Sequence, residues 1–579
     1  MGAHHAAHLD GTPRQAGRIT FLTYGLDGRV ESWSFARGQS CTAAFAAARA
    51  WLDASGGGAL YCPLGIYIGQ VVIGANTRLV GDGKGLTVFR GEAGNGYVMD
   101  NGTQLVATVG AVGRQRLKFE GFTVDNATLG RQANGVSMMP ATELLGTPCS
   151  DVDVTDVEVL QYSNHQYGIW NMRGERVRIR NNEVDGGITD FSGLDSGQNG
   201  IETFGGNDVM IDGNHVRRCR SSGIHVGSAN NLDQAVSTKT SNVIVGKNIV
   251  EHSGRGVTMT TTSQQTDDPQ VGVNPQNLEA ITVEGNQFRN CKDWGVGLYL
   301  AYPNTAVKGV LINGNDIADC DQLIRLEGFS HSDEHQGIQC RGNTLRRATS
   351  ASIGAVYAAQ LRDVLIEGNI IEDATYDGIR AASLFESVIS KNKIRGCGNN
   401  GIKGDAFTDV AVDDNDVRGT GAGAIFIQDS TRDRVRRNHV ADFVGVGINV
   451  GGTSSNGVIE DNTSHRETPA GSSDFVTSGD AMILRNNRPL YAALGDTSLV
   501  SQNLGTNPNY GTVSPAALAT FTDVANTQTQ SDSGAEAPVV VIQTAGAPNP
   551  VTVTKNGTGF RLTYAAAAVG DESYRWEVG

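Results

Sequence analysis

The sequence predicts an all-β fold in which the chain winds as a parallel β-solenoid. Three observations predict it: a short register that recurs along most of the chain, period-two alternation of apolar residues inside each recurrence, and no helix-length segment between recurrences. The register reads apolar, any, apolar, two residues, Asn, any, apolar, then a gap leading to a Gly-apolar step. Val209, Ile211, Asn214 and Val216 with Gly223-Ile224 are one copy, and Val364, Ile366, Asn369 and Ile371 with Gly378-Ile379 are another. Composition agrees: 75 Gly and 14 Pro in a chain only 18% charged and 6% aromatic suit a turn-dense β protein, not a helix bundle or a disordered chain. At 579 residues the chain exceeds what one compact core fills, which leaves several domains or one elongated repeat.

Taken in order, residues 1–38 form an N-terminal segment and residues 39–100 a capping helix with the first coils. The helix is Thr42 to Ala54, Ala-rich, with Phe45 and Trp51 on its apolar side and a Gly-Gly-Gly stop after it. It is expected as a lid, because the end of a solenoid exposes backbone groups that another chain would pair with. Residues 101–487 carry the coils. Their Asn position reads 182, 214, 248, 286, 315, 343, 369, 392, 415, 438, 462 and 487. Upstream, Leu117-Phe119-Phe122 and Val152-Val154-Val157 keep the register with an apolar residue at the Asn site.

A buried Asn has to satisfy its amide, and stacking on the same residue one coil away, about 4.8 Å off, does so. The expectation is an asparagine ladder. Cys219, Cys291, Cys320 and Cys397 each fall five residues after their Asn, where other coils have Ser253, Ala348 and Ala374. That column accepts small residues, so these thiols are expected to pack as small hydrophobes and not to pair. From Pro489 the register is lost and residues 488–535 read as linker or cap. Residues 536–579 read as a small β domain, with Asn556-Gly557 as a hairpin turn and oligomerisation as a role.

The lid, the stretches SGGGALYCPLGIYIG (residues 55–69) and TRLVGDGKGLTVF (residues 77–89), and the Asn-bearing coils together resemble the pectin-lyase-like superfamily, in the form of phage tailspikes and polysaccharide depolymerases. The resemblance covers about residues 40 to 487. It implies a right-handed single-stranded parallel β-helix with an N-terminal capping helix and a small C-terminal β domain, a polysaccharide substrate and a homotrimer. It does not fix the reaction, since the superfamily includes hydrolases, lyases, epimerases and adhesins.

Charge and motifs narrow the partners. A formal net charge of −15 repels polyphosphate, which excludes nucleic acid. No stretch approaches the roughly 18 apolar residues of a membrane span, so no membrane insertion is expected. Residues 1–20 hold no apolar leader core, and the expectation is a protein made without a recognisable signal peptide, while the tailspike resemblance implies placement on a virion tail or outside the cell. No cofactor or metal is expected. His331 to His335 matches a metalloprotease string, but in a loop, where its two His cannot share a helical face. Asp267-Asp268 and Asp413-Asp414-Asn415-Asp416 lack the spacing of a Ca²⁺ loop, and no phosphate-binding or dinucleotide fingerprint occurs.

Coil length points to the site. Successive Asn residues lie 23 to 26 apart from Asn343 onward but 28 to 38 apart between Asn182 and Asn343, so the extra loop nominates coils 182 to 343. Two positions after each Gly the side chain points outward by alternation. That column reads Trp170, Glu202, His225, Thr258, Gly297, Arg325, Val356, Arg380, Lys403, Phe426 and Asn449; four positions after the Gly come Phe204, Thr260, Tyr299, Glu327 and Asp405. Glu202 and His225 fall on neighbouring coils, within contact reach. The loop 185–200 brings Asp185, Asp190 and Asp195 over the same region.

Glycoside hydrolysis needs two carboxyls about 5 to 9.5 Å apart. The favoured reading is a polysaccharide-degrading glycoside hydrolase with Glu202 as general acid, Asp195 or Asp190 as base or nucleophile, and His225 holding the carboxyl. Trp170, Phe204, Trp294, Tyr299 and Tyr302 offer faces for sugar rings. Arg325 and Glu327 read as an ion pair or as a subsite for a uronate. The alternatives are a lyase or epimerase, with His225 or Tyr299 taking the C5 proton, and a non-catalytic glycan-binding tail protein or adhesin.

Overall fold

The computed structural model describes residues 18–91, 97–98, 104–105, 107–126, 134–140, 146–160, 167–191, 198–230, 239–263, 276–300, 305–328, 335–466, 475–477, 483–485 and 487–491, with short strands from there to residue 578. The chain divides into two units, residues 1–292 and 293–579. Both are right-handed parallel β-helix.

The first unit opens with an antiparallel hairpin, Arg18–Gly25 against Val30–Ala36, an element without the Asn register that sequence periodicity passed over. Helix α1, Thr42–Ala54, follows. Its buried face is Phe45, Ala48 and Leu52, the three-then-four spacing of one helical stripe. Phe45 stacks on Phe21 with centroids 4.4 Å apart and meets Tyr67 at 5.9 Å and Phe89 at 6.1 Å, while Phe89 packs edge-on against Phe122 at 5.1 Å. These rings plug the helix into the first coils. Trp51, expected on the same face, is half-buried with the Arg29 guanidinium 5.2 Å above its ring.

Each coil after the lid lays down one strand in a front sheet and others behind it. In the first unit the front strands Ala107–Val112, Asn134–Met139, Tyr167–Met172, Asn199–Phe204, Ser222–Asn230 and Arg255–Ser263 pair in parallel, each with the next. The Gly of the Gly-apolar step is explained by close approach. A Cβ on Gly200 would lie 2.4 Å from Val216 Cγ1, and one on Gly223 2.3 Å from Val250 Cγ1.

The ladder holds as expected. Asn214 Oδ1 accepts from the backbone N–H (3.0 Å) and side-chain Nδ2 (2.9 Å) of Asn182. Its own Nδ2 donates to Ile179 O and Asn248 Oδ1, each at 2.9 Å, so the buried amide is fully satisfied. Where the upstream coil has Val157 at this position, its backbone N–H still donates to Asn182 Oδ1 at 2.9 Å.

The second unit repeats the plan. Its front strands are Trp294–Leu300, Gln322–Glu327, Val356–Arg362, Ile379–Phe385, Ile402–Asp405, Ile425–Gln428, Ile448–Gly451 and Phe475–Thr477, again each parallel to the next. The same ladder runs from Asn315 through Asn343, Asn369, Asn392, Asn415, Asn438 and Asn462 to Asn487. At the coil bends, residues in the left-handed region pair with the equivalent residue one coil on: Asp414 (φ 55°) lies under Arg437 (φ 52°), whose Nε donates to Asp414 Oδ1 at 2.9 Å.

All eight cysteines are buried thiols, the Cys219–Cys291–Cys320–Cys397 column included. Burial pushes the Cys397 thiol up to about 12, with nearby Asp377 adding to it. At the C-terminus Val551–Asn556 and Gly559–Tyr564 pair antiparallel, but Asn556 stands opposite Gly559 and ends a strand instead of lying in the turn. These sheets also take strands from the stretch read as linker: Phe521–Ala525 pairs with Gly559–Tyr564, and Tyr510–Val513 with Ser573–Val578.

Candidate functional site

In the first unit the outward column of the front sheet runs Ser137, Trp170, Glu202, His225, Thr258, each in register with the next. Strand alternation turns Glu202 away from the interior, yet it is only 3% exposed. Its carboxylate meets an amide and an imidazole. Asn199 Nδ2 donates to Glu202 Oε2 at 2.6 Å, and Asn199 Oδ1 accepts from Ser222 N at 3.0 Å, which fixes the amide's orientation. His225 Nδ1 stands 3.3 Å from the same Oε2. The other ring nitrogen, Nε2, is 2.7 Å from Thr260 Oγ1. Nδ1 is buried and makes no hydrogen bond to the carboxylate, and which of Nε2 and Thr260 Oγ1 donates follows from the ring's tautomer. Both contacts fall on Oε2, and among the described residues none hydrogen-bonds Oε1.

Aromatic rings border this carboxylate. Tyr167 and Trp170 have centroids 5.1 Å apart. The charge of Glu202 and then burial push the Tyr167 phenol well above its usual range, so it keeps its proton. Phe204 and His225 pack over Gly227, where a Cβ would come within 3.0 Å and 3.1 Å of their rings. Asp185 is committed elsewhere: Arg217 Nε lies 3.0 Å and Arg218 Nε 2.7 Å from its oxygens. Burial works to raise its pKa, but Arg218, the Gly187 N–H and Arg217 outweigh that and hold it below the usual carboxylate range.

The second unit has its own cluster on the front sheet. Trp294 is 3% exposed, its indole lying back over Gly297, where a Cβ would be 2.3 Å from Nε1. The Arg325 guanidinium sits 5.1 Å from the Trp294 ring, 5.7 Å from Tyr299 and 6.0 Å from Tyr357. It also donates to Glu327 Oε2 through Nε at 2.8 Å and Nη2 at 2.5 Å. Three rings and a carboxylate hold one cation.

The family model of the right handed beta helix region matches residues 142–360 and 333–488, together more than half of the chain. The chain belongs to this right-handed β-helix family. Among solved structures this β-helix is similar to the A-module of the mannuronan C-5 epimerase AlgE6 of Azotobacter vinelandii, at 15% identity over 77% of this chain and 95% of that one, with a TM-score of 0.38. It is similar to a polygalacturonase from Erwinia carotovora ssp. carotovora, at 12% identity over 60% and 90% of the two chains and a TM-score of 0.39. A mutant tailspike protein of E. coli bacteriophage HK620, in complex with a pentasaccharide, is 12% identical over 93% of this chain and 90% of that one, with a TM-score of 0.49. No curated protein matches the sequence.

The β-helix brings together Glu202, His225, Trp170 and Phe204 as the alternation argument required. It brings Arg325 to Glu327, with Trp294 beneath and Tyr299, 38% exposed, beside them. Asp190 lies exposed after the strand Glu183–Asp185. Asp195 and Tyr302 lie outside the described residues. One column member is corrected: Tyr357, not Val356, pairs with Arg325, and Val356 is fully buried between Ile324 and Ile379. Ala355 occupies the position that Gly378 has on the next coil, so counting from Gly354 slips by one residue. The sequence argument also missed Asn199 and Tyr167. Both immediately precede the Gly of their coil and are in register with one another, a column legible from Asn134-Gly135, Tyr167-Gly168 and Asn199-Gly200.

Proposed function

We propose that this β-helix degrades a polysaccharide as a glycoside hydrolase whose proton-transferring carboxyl is Glu202. The observation that carries the reading is the buried Glu202 carboxylate, whose Oε2 accepts from Asn199 and has the His225 ring 3.3 Å away. A group that must deliver or take a proton at one bond is useful when its orientation is fixed and one oxygen stays open. Glu202 acts as general acid on the leaving oxygen, and Asp190 or Asp195 serves as the second carboxyl, the base or nucleophile that this chemistry requires. Trp170, across from Glu202 on the preceding coil, and Phe204, two residues along its strand, offer ring faces where sugar rings stack.

Hydrolysis is favoured over proton abstraction by His225 because its Nε2 is engaged by Thr260 Oγ1 at 2.7 Å and its Nδ1 is buried beside Glu202. A homotrimer joined through the C-terminal strands, and placement on a virion tail or outside the cell, belong to the same reading. Light scattering at three chain masses tests the first. The activity is tested by incubating the protein with a panel of capsular polysaccharides and lipopolysaccharides. New reducing ends that Glu202→Gln abolishes support the hydrolase; an unsaturated uronate product assigns a lyase; binding without either product assigns a tail protein or adhesin.

A further inference from the structure

In the second unit one outward column of the front sheet reads Tyr357, Arg380, Lys403, Phe426, each in register with the next. All four are half-buried. Two cations thus stack directly on one another, an arrangement that costs stability in a sheet. Elsewhere in this unit stacked charges are compensated. Arg347 lies on Asp319 (2.7 Å), Arg432 on Asp409 (2.5 Å) and Lys391 on Glu367 (2.7 Å). Where two arginines do stack, Arg395 on Arg418, the carboxylate of Asp416 serves both, at 3.4 Å and 2.8 Å.

Arg380 and Lys403 have no such shared carboxylate among the described residues. Arg380 Nη1 donates to the Ser352 carbonyl at 2.6 Å, and Lys403 has only Asp405 at 3.8 Å, too long for a hydrogen bond. The next outward column beside them reads Ala359, Ala382 and Asp405, so a short trough opens over Ala382 beside Arg380 and ends at Asp405, while Lys403 Nζ lies 6.0 Å from the Phe426 ring.

We infer that this trough binds an acidic glycan, with one anionic group of the sugar chain taking the place that Asp416 has between Arg395 and Arg418. Tyr357 and Phe426 then stand as ring faces at the two ends, three rungs or about 14 Å apart. The net charge of −15 repels a dense polyanion at long range, so the glycan that fits carries spaced acidic groups. The inference does not use Glu202 and stands or falls apart from hydrolysis.

The test is calorimetric binding of a hyaluronan hexasaccharide, a chondroitin sulfate hexasaccharide and neutral maltohexaose to the full chain carrying Glu202→Gln. The expected result is binding of the acidic hexasaccharides that weakens with salt, and no comparable binding of maltohexaose. The preferred acidic probe tells carboxylate from sulfate. Replacing both cations, Arg380→Gln with Lys403→Gln, should weaken binding at least about tenfold. Ala382→Glu supplies an internal carboxylate, as Glu327 does for Arg325, and should block binding while raising the melting temperature. Equal affinity for maltohexaose, acidic binding unchanged in both variants, or no acidic binding at all would overturn the inference. Loss of cleavage in Glu202→Gln with acidic binding intact separates the two sites.

Discussion

His225 Nδ1 and Glu202 Oε2 face each other at 3.3 Å across neighbouring coils, from positions directly in register. A parallel β-helix makes such a pair from residues 23 apart in sequence without any loop having to hold them. The pair is as rigid as the sheet.

That rigidity predicts how the site fails. His225→Ala removes the ring beside Oε2 and leaves the Asn199 hydrogen bond, so the carboxyl loses its imidazole neighbour but not its place. Turnover on the polysaccharide should fall about 10²-fold with KM little changed. Asn199→Ala should do the same by the opposite route. A rise in KM at unchanged turnover would mean that these residues bind the sugar instead.

The ladder predicts where stability is concentrated. Asn392→Ala takes the acceptor from Asn369 N and Nδ2, both at 3.0 Å, and a donor from the Ile366 carbonyl. Groups left buried and unpaired cost about 1–3 kcal/mol each, so the loss should reach several kcal/mol. Lys391→Ala, next in sequence but exposed in its pair with Glu367, should leave the urea midpoint nearly unchanged. Urea midpoints of the two variants check the contrast.

Asp433 predicts a pH slope. Burial pushes its carboxyl up to about 6, against a hydrogen bond from the Val410 N–H. The folded chain therefore holds this proton more tightly than the unfolded one. The associated stability is present below about pH 4 and is lost as pH rises through about 6, roughly 3 kcal/mol in all. Asp433→Asn should flatten the melting temperature between pH 4 and pH 7, read by calorimetry, and lie above the parent at the upper end of that range relative to the lower.

His335 predicts the opposite slope. It is 2% exposed, with no partner for Nδ1 among the described residues, and burial lowers its pKa. The folded chain disfavours the proton that the unfolded chain accepts near 6.5, so stability present above that pH is lost as pH falls below it. His335→Gln should remove that loss; unchanged acid sensitivity would place its origin elsewhere.

Much of this was legible because a ladder demands the same residue at the same place in every coil. Asn214, Asn286 and Asn392 announced the fold from spacing alone, and Glu202 with His225 followed by counting from Gly200 and Gly223. Counting failed where the landmark moved: Ala355 stands where a Gly is expected, and Tyr357 went unread. Asn199 and Tyr167 were missed because they precede the Gly, before alternation begins. The hairpin Arg18–Ala36 carries no Asn and so gave no period to find. The three rings around Arg325 needed a Trp to fold back across a residue without a Cβ, which sequence order does not announce.

The amide of each coil is completed only by its counterpart on the next, and this makes the coil a modular length. Cutting out residues 392–414 would lay Asn415 where Asn392 had been, with every bond remade, whereas deleting a single residue between them would shear all that lies beyond. A chain built this way can lengthen or shorten by duplication or loss of whole turns, carrying its surface chemistry along in steps of one rung.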